Sequence, residues 1–401
     1  MAETFGIAAL WISLALAATF LAARLSISTA LMEIVVGILA GTVAHHFFSL
    51  EALGSSQSWL VFLASTGSVV LTFLAGAELD PAALRLKWKE VLTVGLISFA
   101  VPFLGCAAVA RFLLDWSVPS SWLAGVALST TSMAVVYAVM LELGFNRTEF
   151  GKSILGACFI TDLGTVIALG LMFAPFTLKT ALFAGISLLS FLALPSVTRA
   201  LLRHYAGRAS EVETKWILLI VFGLGALALW AGSEAVLPAY IAGMVLAGTI
   251  GRDHAYLRRL RTLTMGLLTP FFFLRAGTFV SVPALLALPG TFLVLLAGKL
   301  GTKILGLYPV IRIFREDSKE RWYYTLLMST GLTFGSISAL YGLTHGIVTQ
   351  QQYSHLVTVV IGTAIVPTVI ANAFFVPHHL LPGWGTMDEV DELAEESATG
   401  R

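Results

Sequence analysis

Charge is scarce in this chain. Its 401 residues include only 24 basic and 23 acidic side chains, 12% of the total, against about 25% in soluble domains. A soluble globule of this length could not cover its surface with so few charges. Cysteine is scarcer still. Cys106 and Cys158 both lie in apolar runs, which leaves no disulfide framework and no metal cluster. The net charge of +1 carries no nucleic-acid signature. Met1-Ala2-Glu3 lacks a basic leader, so the first apolar run is not expected to be a standard signal peptide. No HExxH, CxxC, paired acids or glycine-flanked serine nucleophile stands in a plausible setting, so neither an enzyme nor a cofactor is expected. The histidines (His45, His46, His204, His254, His345, His355, His378 and His379) are scattered, mostly near the ends of apolar runs.

What the chain does have is apolar length. Hydrophobic residues make up 57%, mean hydropathy is +0.88, and the apolar runs are about 20 residues long, the reach of a membrane-spanning helix. An all-α polytopic membrane protein is predicted. Bounding the runs by charge, Pro and Gly clusters gives spans over 5–23, 30–48, 59–77, 91–114, 122–141, 153–173, 180–198, 216–231, 235–250, 263–280, 291–311, 323–344 and 355–377. The basic residues support that count of about 13. They gather in the odd-numbered connections and the tail, and only five of the 24 fall elsewhere. Arg111 and Lys179 lie in even connections, and Arg275, Lys299 and Lys303 lie inside spans. The positive-inside rule then puts the N-terminus outside and the C-terminus in the cytoplasm. Residues 378–401 read as an acidic, solvated, disordered cytoplasmic tail.

Intramembrane charges narrow the function. A charge at the bilayer centre costs at least about 2.5–3.5 kcal/mol, so each one needs a reason. Among the acids, Asp162 lies near mid-span. Glu33 is near the cytoplasmic start of the second span, and Glu78 and Glu142 lie at span ends. Counted from the cytoplasmic side, Asp162 and Lys303 both sit roughly 12–14 Å deep at ~1.5 Å per residue. Lys299 lies one turn further out on the face of Lys303. An acid and a lysine at one depth lower each other's burial cost, so Asp162 is expected to face Lys303 or Lys299 as counter-ion. Arg275 reads equally as a carbonyl cap and as a functional group.

Two spans carry polar interruptions: Ser129-Thr130-Thr131-Ser132, and Ser329-Thr330-Gly331-Leu332-Thr333. Clustered hydroxyls and glycine at mid-span suit broken helices whose freed carbonyls and half-helix ends bind ions. Back-bonding or small-residue packing is the alternative. The breaks lie seven spans apart. Because seven is odd, spans 2–6 and 9–13 form inverted five-helix repeats, an arrangement common in secondary transporters. The counterpart of Asp162 in the second repeat falls near Thr363.

These segments resemble the monovalent cation/proton antiporters of the bacterial Kef- and NapA-like branch, over nearly the whole chain. Ala30–Gly41 is similar to that branch's first-repeat opening, and Phe73-Leu74-Ala75-Gly76-Ala77-Glu78-Leu79-Asp80 to its FLAGLELD segment. Ser129–Ser132 resembles the crossover helix, Gly156–Asp162 the carboxylate helix, and Lys303-Ile304-Leu305-Gly306 the lysine helix. The resemblance implies a NapA/NhaA-like fold in a single transporter unit over 1–377. Its core would come from about 91–173 and 291–377, and its dimerisation domain from about 5–77 and 180–280. It further implies a homodimer in the lipid of the inner membrane and an elevator movement carrying Asp162. Asp162 would bind Na⁺ or K⁺ and the proton, with Thr161, Thr130, Thr131 and Ser132 around it. Glu78, Arg275, Ser329, Thr330 and Thr333 are secondary candidates. Electrogenic members carry two adjacent acids, but the first position here is Thr161. One-for-one, electroneutral exchange is therefore expected. Nucleotide or redox control through an appended domain is not implied. A sodium-coupled organic-anion symporter of related fold is the alternative, and a passive channel the next.

Overall fold

The computed structural model describes residues 2–25, 29–47, 53–77, 87–145, 148–173, 177–205, 211–233, 235–250 and 254–380. Among these residues there is no strand, as expected for backbone that must satisfy its own hydrogen bonds in lipid. The helices are α1 (Ala2–Leu25), α2 (Thr29–Phe47), α3 (Ser58–Ala77), α4 (Trp88–Ala108, extended to Leu113 by a π turn), α5 (Val118–Ser129) and α6 (Met133–Glu142). They continue with α7 (Glu149–Phe173), α8 (Leu178–Tyr205), α9 (Val212–Trp230), α10 (Val236–Ile250), α11 (His254–Leu263) and α12 (Thr269–Thr278), the last two joined by a π turn. The described residues close with α13 (Val282–Ala287), α14 (Pro289–Ile311), α15 (Ser318–Met328), α16 (Thr333–Thr344) and α17 (Gln350–Phe374), before a short 3₁₀ turn.

Among the described residues, ten helical segments are long and apolar enough to cross a membrane. The three other predicted spans are the broken α5–α6, the 15-residue α10 and the π-interrupted α11–α12. Two sequence readings need correction. Arg199 and Arg203 belong to α8, which runs on to Tyr205, and Arg258, Arg259 and Arg261 belong to α11 rather than to loops. Basic residues are good helix formers and do not by themselves end a helix. The proposed tail beyond Leu380, and Glu78, lie outside the described residues.

Local chemistry fixes several starts. Ser117 caps α5, with Pro119 in its first turn. Asp317 caps α15 by accepting from Lys319 N at 2.7 Å and Glu320 N at 3.1 Å. Thr349 and Gln352 form a reciprocal capping box at α17.

The inverted repeats show in the packing. α2 pairs with α12, and α3 with α10, so the first helix of each repeat meets the second helix of the other. Backbones touch at both crossings. A Cβ on Gly37 would strike the Leu274 carbonyl, and one on Gly277 that of Ile34. Gly76 and Gly243 stand in the same reciprocal relation to Tyr240 and Phe73. Small residues allow this approach where lipid offers little hydrophobic drive between helices. In the other half, α4 packs against α5, α7 and α14, and α14 against α15 and α17.

Candidate ion-binding site

The polar clusters of the two broken helices become two unwound segments, 130–132 between α5 and α6, and 330–332 between α15 and α16. They cross. Ser132 N donates to the Thr330 carbonyl at 3.1 Å and faces its hydroxyl at 3.3 Å. Thr131 Oγ1 donates to the Met328 carbonyl at 2.8 Å. Each break thus supplies partners for backbone groups that the other has freed, which is how irregular backbone survives at membrane depth. Ser129, Thr130, Thr131, Ser132, Ser329 and Thr330 are all buried, while Thr333, at the start of α16, is half-buried.

Asp162 projects from mid-α7 and is 1% exposed. Its Oδ1 is fully buried and has no hydrogen-bond partner. Cys158 and Tyr240 lie within electrostatic range. Neighbouring Thr161 turns its hydroxyl toward the carbonyls of Ala157 (2.9 Å) and Gly95 (3.2 Å), tying α7 to α4.

The lysines depart from expectation. Both are fully buried, but neither forms an ion pair with Asp162. Lys303 lies within electrostatic reach of the carboxyl, yet its ammonium donates to the Ser98 carbonyl (2.9 Å), Ser98 Oγ (2.8 Å) and Thr131 Oγ1 (3.0 Å). Three oxygens thus use its three protons. Ser98 is a partner that sequence reasoning missed. A hydroxyl at the middle of the apolar run of α4 was the available signal. Lys299 has no hydrogen-bond partner and lies against the second break. Arg275 donates from Nε to the Ser55 carbonyl at 2.9 Å, and its guanidinium lies 4.9 Å from the Phe279 ring centre.

Tyr240, on α10, was also missed. Its hydroxyl donates to the Phe159 carbonyl at 3.1 Å, and its ring stacks on Phe159 at 5.3 Å, one turn from Asp162. A cavity of about 640 Å³ lies where α3, α9, α10 and α12 meet α16. Phe62, Phe272, Arg275, Tyr341 and His345 are among its walls, and Asp162 is not. Among the described residues no cluster of His, Cys, Asp and Glu has the makings of a metal centre.

The core of the protein thus holds a buried, underbonded carboxylate and two crossed, broken helices. The family described as "Sodium/hydrogen exchanger, transmembrane" matches residues 11–376. The chain belongs to this family. It is a multi-pass membrane protein of a transporter family. A probable Na⁺/H⁺ antiporter 3 of Methanocaldococcus jannaschii is 25% identical over 331 residues, covering 79% of this chain and 84% of that protein. The glutathione-regulated potassium-efflux protein KefC of Salmonella arizonae is 28% identical over 341 residues. There the match covers 79% of this chain but only 52% of the relative, so the chain spans about half of KefC. The sodium proton antiporter MjNhaP1 from Methanocaldococcus jannaschii superimposes with a TM-score of 0.66 at 17% identity, over 92% of this chain and 95% of that one. That similarity establishes the shared antiporter fold.

Proposed function

We propose that this chain exchanges Na⁺ or K⁺ for protons by alternating access, with cation and proton competing for Asp162. The observation that carries the reading is the buried Asp162 carboxyl, within electrostatic reach of the Lys303 that donates to Thr131 of the first break, with one oxygen that no protein donor engages. Ionised, it offers oxygens to a dehydrated cation. In this reading Thr161, Thr130, Thr131, Ser132 and freed carbonyls complete the shell. Protonated, it does not hold the cation. Competition at one group suffices for obligatory exchange, provided the empty, charged site does not cross the membrane. Intramembrane carboxylates commonly mark such paths, and the family and relatives carry matching descriptions.

The core, from about 91–173 and 291–377, moves in this reading against a scaffold from about 5–77 and 180–280. The cavity at their boundary and the Tyr240–Phe159 contact across it support that division. The chain works as a homodimer in the inner membrane, with its N-terminus outside and its C-terminus in the cytoplasm. The exposed apolar residues of α8, including Leu188, Leu189 and Leu192, suit lipid or a second copy.

With Thr161 in place of a second acid, one proton leaves for each cation that binds, and transport is electroneutral. The test is exchange in proteoliposomes across Na⁺, K⁺ and Li⁺ at several pH values, with and without an imposed voltage. One of these cations should collapse a pH gradient at a rate indifferent to voltage. Direct stimulation by voltage would overturn the stoichiometry, and failure of every cation to collapse the gradient would overturn the function.

A further inference from the structure

Lys299 is a charged group at the crossing that the exchange reading does not use. It projects from α14 and is fully buried. A methyl group placed on Gly331 would overlap its Nζ and approach Thr130 Oγ1 at 3.2 Å and Thr363 Oγ1 at 3.4 Å. The ammonium thus rests against the backbone of the second break, in the neighbourhood of a hydroxyl from each repeat but hydrogen-bonded to neither.

The orientation of those hydroxyls decides what the spot prefers. Thr130 Oγ1 donates its proton to the Ala127 carbonyl at 3.2 Å. Thr363 Oγ1 donates to the Val360 carbonyl at 3.0 Å. Each hydroxyl has one proton, so both are left with only lone pairs to offer. These two hydroxyls accept and do not donate, which suits a cation. Their place in the fold agrees. Thr363, on α17, falls near the position in the second repeat that answers to Asp162 on α7.

We propose that this cradle is a second cation site, related to the Asp162 site by the inverted repeat, and that the Lys299 ammonium fills it as a tethered cation. The proposal rests on the reading of Asp162 as the exchange site. Its content is that Lys299 holds the protein at one transported cation: the second half-site persists, and a covalently attached charge blocks it. Hydroxyls and unwound carbonyls bind Na⁺ elsewhere without a carboxylate, so an emptied cradle accepts a free ion.

The test is equilibrium binding of radioactive Na⁺ to the purified full-length chain at alkaline pH, in four forms: wild type, Asp162→Asn, Lys299→Ala and the double variant. Wild type should bind one ion, Asp162→Asn none, Lys299→Ala two and the double variant one. Lys299→Met, whose side chain still fills the cradle but carries no charge, should stay at one. Lys299→Ser repeats the measurement if Lys299→Ala does not fold. The decisive quantity is the ion gained on shortening Lys299, in either Asp162 background. Lys299→Ala or Lys299→Ser protein that melts like wild type and gains no ion sinks the proposal. Na⁺ still bound by Asp162→Asn would count against the Asp162 reading instead. A further ion gained from the Lys299 change in that background would still support the second site.

Discussion

Asp162 and Lys303 lie in one buried core and meet the cost of burial in different ways. Lys303 spends its three protons on Ser98 and Thr131. Asp162 keeps an oxygen unengaged. A fully satisfied group is structural, whereas an underbonded one is poised for a ligand. Asp162→Asn is therefore expected to reduce cation-dependent dequenching of a pH dye in proteoliposomes to background, with unchanged yield and melting. Surviving exchange would sink the assignment. Lys303→Ala should act mainly on stability. It leaves the Ser98 oxygens without their donor, at a cost on the order of 2 kcal/mol for lost charged hydrogen bonds. Thermal unfolding in detergent should show a lower midpoint, with residual exchange in protein that remains folded. Sequence order and spacing made Asp162 and Lys303 visible as charges out of place. Which oxygen Lys303 meets depends on where α4 and α5 pass it, and its own neighbours in sequence do not carry that information.

At the scale of the elements, the broken helices owe their stability to each other. The Thr131–Met328 and Ser132–Thr330 bonds join segments nearly 200 positions apart. At Gly331 the Lys299 ammonium, the end of a long side chain, occupies the space where a side chain would begin. Gly331→Ala should displace that ammonium or spread the breaks, costing about 1–3 kcal/mol as overpacking of a closed site. Exchange should fall in proportion, while Gly301→Ala, with open space about it, should leave both melting and exchange unchanged. Equal effects of the two would refute the packing argument. The ends of α4, α14 and α15 are tied in another way. Arg315 grips Glu90 bidentately at 2.9–3.0 Å, and Glu320 joins it to His379. The sequence gives no sign of this cluster, because its members come from α4, the α14–α15 connection, α15 and the 3₁₀ turn.

For the whole molecule, the question is what moves. Tyr240 is the polar bridge between the proposed scaffold and the carboxylate helix. Tyr240→Phe keeps the ring stacked on Phe159 but loses a hydrogen bond, worth about 1 kcal/mol. If the two bodies slide past each other, that loss should alter turnover by up to about fivefold and leave the cation concentration at half-maximal rate unchanged. A change confined to apparent cation affinity would instead make Tyr240 part of the ion site.

Composition and spacing alone determined that this is a helical membrane protein with paired broken helices and a buried carboxylate. These are one-dimensional facts: the bilayer penalises each charge by depth, and depth follows from counting residues along a helix. The reciprocal packing of α2 with α12 and α3 with α10 agrees with the inverted repeat that span parity predicted. Tertiary structure decided the partners. It turned the expected Asp162–lysine pair into three separate environments: Lys303 bound to Ser98 and Thr131, Lys299 seated at the second break, and Asp162 left open. The physical reason is that a buried charge is satisfied by the nearest available oxygen in three dimensions, and which helices bring oxygens there is settled only when they pack.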